Sequence, residues 1–170
     1  MPYNFCPSCG AVLDPRLSGA AGGRVCARCG WVVYDTPRPC AGALVIHEGK
    51  LLLVRRATEP FLGWWDIPGG FLNPGEHPEL GAVRELEEET GLAIEPVGLV
   101  GIYPGTYGPD QTPTLSLVYR ARVLGGRERA ASDAAEVRWF NLDELPDKIA
   151  FDWSQDAIRA LRVILAHKAG

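Results

Sequence analysis

Short apolar runs and two stretches of helical period divide the chain. Ala41 to Ile46 and Leu51 to Arg56 are apolar segments joined across His47-Glu48-Gly49-Lys50, the pattern of two paired strands and their hairpin turn. Ala93 to Tyr103 and Thr114 to Leu124 predict two further strands. In the second, Leu115, Leu117 and Tyr119 fall on one face and Val118 on the other. Between them Pro104 to Pro113 is dense in turn formers and reads as a loop, a good place for substrate selection. Ser132 to Phe140 predicts an acidic loop running into a strand. Leu80, Ala82, Val83 and Leu86 supply the buried side of one helix, with Pro78 at its first position and Gly91 as its stop. Ile158, Leu161 and Leu165 mark the buried stripe of a closing helix over 154–168, with Phe151 and Trp153 just ahead of it.

The first of these helices carries the candidate chemistry. Glu85, Glu88 and Glu89 stand at i, i+3 and i+4, so a helix places them on one face within one turn. Like charges at that spacing repel, and something positive is expected over the face. Grouped carboxylate oxygens suit hard divalent cations such as Mg²⁺ or Mn²⁺. Pro68, Gly69, Gly70, Pro74 and Gly75 force an irregular loop ahead of the helix, so the stretch reads as a metal platform.

The residues Gly70, Glu76 and Arg84-Glu85-Leu86-Glu87-Glu88-Glu89-Thr90-Gly91-Leu92 resemble the Nudix signature at every fixed position. The resemblance implies an α/β fold, a Nudix α/β/α sandwich with a mixed sheet, over residues 38–170. It implies hydrolysis of a nucleoside diphosphate linked to another moiety. Gly70, Glu85, Glu88 and Glu89 would hold Mg²⁺ or Mn²⁺, and Arg84 would orient a glutamate. Glu76 would be a supporting residue and Glu87 would face solvent. The stretch before the last strand resembles the family's site for an additional acid, for which Glu136 is the first choice and Asp133 the second. The base that activates water is then Glu85 or Glu136.

Ahead of that region, Cys6-Pro7-Ser8-Cys9 and Cys26-Ala27-Arg28-Cys29 are two CxxC knuckles 16 residues apart, each followed by glycine. Four thiolates in this pattern predict a structural Zn²⁺ site, so residues 1–37 read as a zinc ribbon. A segment this small lacks the apolar content to fold alone, and metal would contribute much of its folding free energy. Disulfides are the rival reading. With few basic residues in the segment, a structural or dimer-forming role is favoured over nucleic-acid binding. Cys40, at the head of an apolar run, reads as a core thiol. Tyr34 to Pro39 reads as the linker.

Composition narrows the rest. With 170 residues and 46% hydrophobic content the chain can bury a full core. A net charge of −4 gives no general attraction to nucleic acid or anionic membranes. No apolar run approaches the roughly 20 residues that span a bilayer, and the first residues lack a signal pattern. The expectation is a cytoplasmic protein with a small-molecule nucleotide substrate and, by family analogy, a homodimer. A ribbon ahead of a Nudix domain resembles the NADH pyrophosphatase layout, but the Ser-Gln-Pro-Trp-Pro-Phe-Pro tail of that group is missing. ADP-ribose therefore stands first among substrates, before NADH or FAD, with nucleoside triphosphates and capped RNA behind. Trp65 and Pro109 are the candidate substrate contacts. A non-catalytic regulator that binds nucleotide or RNA is the alternative of another class; retention of every signature glutamate favours the enzyme.

Overall fold

The computed structural model describes residues 3–14, 16–19 and 23–167; Lys168, the expected end of the last helix, lies outside them. Strands β1 (Arg24–Val25) and β2 (Val32–Val33) form a small antiparallel pair in the cysteine-bearing segment. The larger sheet is mixed, with seven strands. β3 (Arg38–His47) and β4 (Lys50–Arg56) meet in the expected hairpin, where Glu48 and Gly49 both adopt positive φ. The pair then separates. β3 runs parallel to β8 (Thr112–Gly126), with Ala41 opposite Leu117, and antiparallel to the short β6 (Gly69–Phe71). β4 pairs with β5 (Trp65–Asp66) and with β9 (Ala134–Asn141), and β7 (Leu92–Tyr107) completes an edge beside β8.

Alternation along β3 and β4 divides the core into two layers. Ala43, Val45 and Leu52 face helix α1 (Pro78–Thr90) and bury Leu86 with Leu92 and Ile94. Leu44, Leu51 and Leu53 face helix α2 (Asp152–Ala166) and bury Ile158 and Leu161. Side chains completely withdrawn from water stand on both sides, so one sheet is sandwiched between two helices.

Three expectations change. Pro104 to Pro113 is largely strand: β7 continues to Tyr107 and β8 starts at Thr112, leaving a four-residue turn closed by the Gln111 amide on the Gly108 carbonyl at 3.1 Å. Proline is tolerated there because β7 is an edge strand that spares N–H groups. Leu80, placed among the buried residues of α1, is 64% exposed, since that side of the first turn finds nothing to pack against. Trp153 lies inside α2 rather than ahead of it, and Phe151 is the residue that precedes the first turn.

Candidate active site

Helix α1 starts and stops where its sequence directs. Pro78 occupies the first turn, the His77 ring accepts the Glu79 amide at 3.3 Å, and Gly91 turns the chain left-handed at φ 70°. Arg84 organises the acids around it. Its Nε and Nη2 donate to the two Glu76 oxygens at 2.7 and 2.8 Å, and its Nη1 donates to Glu85 at 2.8 Å and to Glu88 at 3.2 Å. Nη2 also reaches the Phe71 carbonyl at 3.1 Å. This bidentate fork, with the Asn73 amide, holds the Glu76 carboxyl down at about 2. Part of the positive charge expected over the acidic face is therefore Arg84 itself. Glu87 is exposed.

Glu89 is different. It is buried, its Oε2 accepts the Gly69 amide at 2.9 Å, and it has no cationic partner among the described residues. Burial, then the adjacent Asp133 carboxyl, push its pKa up to about 10. Burial also raises Glu85. Gly70 packs directly against that group: a Cβ there would come within 2.6 Å of the Glu85 carboxyl. Gly69 is as constrained, because its Cβ would meet the Ala41 carbonyl at 2.5 Å. Gly69 and Gly70 are thus spaces that keep the carboxylates against strand β6. Glu85 and Glu89, each near Asp133 and set against a strand without side chains, with Glu88 one turn away on the same helix, offer hard oxygen donors of the kind a divalent cation takes.

Of the two candidate acids near the last strand, Glu136 is moved away from this cluster. Val137 and Trp139 face the α1 layer, so the alternation of β9 turns Glu136 to the opposite face of the sheet. There it pairs with Arg55 at 3.0 Å and with Arg138. Asp133, the second choice, is the acid that meets Glu89 and Glu85. The reason lies in the register. The β4–β9 ladder is irregular between Arg55 and Arg56, and the Ala57 amide on the Asp133 carbonyl at 2.7 Å fixes the turn beside α1.

The two proposed substrate contacts also fall elsewhere. Trp65 packs on the α2-side core, edge to face with Phe140, and carries the Arg138 guanidinium over its ring. Pro109 sits in the β7–β8 turn and lines none of the cavities around the site. A narrow cavity of about 50 Å³ beside Gly69 and Gly70 is walled instead by Cys40, Arg56, Phe71, Tyr107 and Phe151. Cys40 is thus at the site's edge rather than in the core proper, and burial raises its thiol to about 11. At the base of this cavity Arg56 lies over the Phe151 ring and within 3.4 Å of Asp66, which accepts a hydrogen bond from Ser154 Oγ at 2.7 Å. Arg56 Nη2 is buried without a hydrogen-bond partner among the described residues. Nothing in local spacing announces Arg56 or Asp66, because β4, β5 and α2 must assemble before they meet.

The four knuckle cysteines come together: their sulfur atoms all lie within 4.8 Å of one another. Cys6 and Cys29 are 3.7 Å apart, and Cys9 and Cys26 are 3.6 Å apart. A tetrahedron of Zn–S bonds near 2.3 Å has edges of about 3.8 Å, whereas a disulfide needs about 2.05 Å. The sulfurs are unbonded and suit a metal. Gly10 and Gly30, at φ 70° and 74°, return their amides to Cys6 and Cys26 carbonyls at 2.9 Å each, which repeats one knuckle twice.

Comparison with known proteins agrees with this architecture. The NUDIX domain family model matches residues 36–161. An ADP-ribose pyrophosphatase of Methanocaldococcus jannaschii is 38% identical over 71% of this chain and 70% of its own length. A NAD-capped RNA hydrolase NudC of Stutzerimonas stutzeri is 32% identical over 85% of this chain, which spans half of that relative's length. A NUDIX hydrolase structure from Nitrosomonas europaea superposes with a TM-score of 0.79 at 29% identity, covering 92% of this chain and 88% of its own. With the signature geometry, these matches establish that the chain belongs to the NUDIX family and is a diphosphatase of that family.

Proposed function

We propose that the chain hydrolyses the pyrophosphate bond of ADP-ribose, giving AMP and ribose 5-phosphate. The observation that carries the reading is the buried Glu89, which lies beside Asp133 and Glu85 at a glycine strand with no cation among the described residues to offset it. Mg²⁺ or Mn²⁺ bound by Glu85, Glu88, Glu89 and the Gly70 carbonyl would supply Lewis-acid charge and lower the pKa of the attacking water. Arg84 holds Glu85 and Glu88 in place through Nη1 and leaves Glu85 Oε2 free to take the proton of water. The water oxygen bonds to one phosphorus as the bond from that phosphorus to the bridging oxygen breaks. The electron pair leaves on the other phosphate. Arg56 Nη2, buried and unpaired beside Gly69, donates to a phosphate oxygen.

ADP-ribose is placed first because of the 38% identical relative that bears that activity in its name. NADH and FAD follow. In the same reading residues 1–37 form a zinc-ribbon unit, with Cys6, Cys9, Cys26 and Cys29 holding Zn²⁺, ahead of the catalytic domain 38–170. The test is an assay with Mg²⁺ or Mn²⁺ across ADP-ribose, NADH, FAD and nucleoside triphosphates. Release of AMP and ribose 5-phosphate from ADP-ribose at the highest kcat/KM sustains the reading. A preference for another compound by tenfold or more replaces the substrate.

A further inference from the structure

The contacts around Arg56 are unevenly shared. Its Nε donates to the Pro60 carbonyl at 2.7 Å, and its guanidinium lies 5.3 Å from the centre of the Phe151 ring. That ring is common to the narrow cavity at Gly70 and to a wider one beside it. Toward Asp66, Nη1 reaches no closer than 3.4 Å, and Nη2 makes no hydrogen bond among the described residues. An arginine set beside a buried carboxylate ordinarily closes into a two-pronged pair at about 2.8 Å. This one does not.

The reason lies in the other Asp66 oxygen. Oδ1 accepts Ser154 Oγ at 2.7 Å and the Ile67 amide at 2.8 Å, which leaves Oδ2 alone to face Arg56. Ser154 is completely buried in the first turn of α2, and its own amide donates to the Phe151 carbonyl at 3.1 Å. One end of one helix therefore sets a ring against the guanidinium and a hydroxyl on the carboxylate. A carboxylate beside a guanidinium is drawn to it, most strongly where water is absent. Apart from Arg56, Ser154 is the one side chain among the described residues that hydrogen bonds to Asp66, and it pulls toward α2.

We propose that Ser154 is a positioning residue for the hydrolysis: it restrains Asp66, so that Arg56 Nη2 stays open to a phosphate oxygen of the substrate. This deepens the reading above and rests on it, since Nη2 makes that contact there. Asp66 offsets the guanidinium charge while the site is empty, and Ser154 keeps the pairing incomplete. Arg56, Asp66, Gly69 and Gly70 border one narrow cavity, so the open prong and the strand carrying Gly70 serve the same anion. Fixing the fork before substrate arrives also spares binding the cost of ordering a long side chain.

The test is a pair of substitutions whose effects should cancel. Ser154→Ala keeps helix and volume but releases Asp66 to close on both Nη atoms. KM for ADP-ribose should rise roughly tenfold, with kcat within about twofold. Asp66→Asn removes the charge that would close on Arg56, and alone should change KM by less than about threefold. In Ser154→Ala/Asp66→Asn, KM should return to within about threefold of wild type. A serine that only supports packing gives the opposite result, because the lost bonds add and the double variant is the worst. A double variant no better than Ser154→Ala overturns the proposal, as does a crystal structure of Ser154→Ala in which Asp66 still touches Nη1 alone. Binding of methylenediphosphonate with Mg²⁺, followed by calorimetry, repeats the comparison without turnover. If wild type leaves ADP-ribose intact while this probe shows the same loss and recovery, the substrate reading fails and the role of Ser154 stands. Equal binding by all four proteins, or none by wild type, removes that role.

Discussion

The cysteine knuckles and the glutamate helix are both groups of ligand-type residues, and the chain builds them in opposite ways. Each knuckle is six residues long, closes on its own backbone hydrogen bond, and needs only its twin to complete four sulfurs within 4.8 Å. The glutamates share one turn of α1 but do not reach that closeness: Arg84 Nη1 bridges Glu85 and Glu88, while Glu89 turns in to the Gly69 amide. Their site is finished by β6 and by Asp133, more than forty residues beyond the helix. A structural metal site can thus be local and closed, whereas a catalytic one is open and depends on the whole sandwich.

The sharpest way to break the comparison is Glu89→Gln. Loss of this metal-holding carboxylate should lower kcat by roughly 100-fold or more, at or beyond the upper end of what changes around a metal's ligands cost. Burial and Asp133 push this pKa up to about 10, so without metal the group is a neutral acid at pH 7, and an uncharged Gln in its place should leave the thermal midpoint nearly unchanged. Steady-state kinetics and a melting curve on the same sample read both. A fall in stability together with activity would make Glu89 a structural residue.

The opposite pattern is expected at the other site. Elemental analysis of the wild type should find one zinc ion per chain, and Cys6→Ser/Cys26→Ser should lose it. The near-ultraviolet signal of Trp31, exposed beside the second knuckle, should collapse. ADP-ribose turnover should stay within about twofold, since no knuckle cysteine lines either cavity of the catalytic domain. Loss of turnover beyond tenfold would join the two regions into one unit.

Asp133 and Glu136 sharpen the catalytic half. Asp133→Asn should cost roughly 10- to 100-fold in kcat, and Glu136→Gln about twofold or less. The reverse ranking would show that β9 changes face in the active enzyme.

Those two acids also show where sequence reading stops. Knuckles, helix limits, the β3–β4 hairpin and the signature were legible because each is set by residues within one or two turns of chain. Gly70 was legible as a signature position, and its reason appears only when Glu85 is seen 2.6 Å from its missing side chain. The choice of Glu136 over Asp133 went astray for a physical reason. Which face a strand residue takes depends on register, and an irregularity at Arg55/Arg56 is not written in any short window.

The smallest effect concerns Asp66, which ties the two halves of the pocket wall together. It accepts Ser154 Oγ of α2 and the Ile67 amide at 2.7 and 2.8 Å, and faces Arg56 at 3.4 Å. Burial nonetheless pushes its pKa up to about 6 from 3.8, with those bonds only partly offsetting the loss of water. A carboxyl that holds its proton more tightly when folded favours the folded state below the unfolded value and loses that advantage as pH rises through the folded one. Its contribution should therefore decline between about pH 4 and pH 6 and stay constant above. The change is at most about 3 kcal/mol, from 1.36 kcal/mol per pKa unit. Asp66→Asn should flatten that part of the stability–pH profile measured by urea unfolding. If the wild-type slope between pH 4 and 6 persists in the variant, the titrating group lies elsewhere, and Asp66 is held as a carboxylate by Arg56 at every pH where the protein folds.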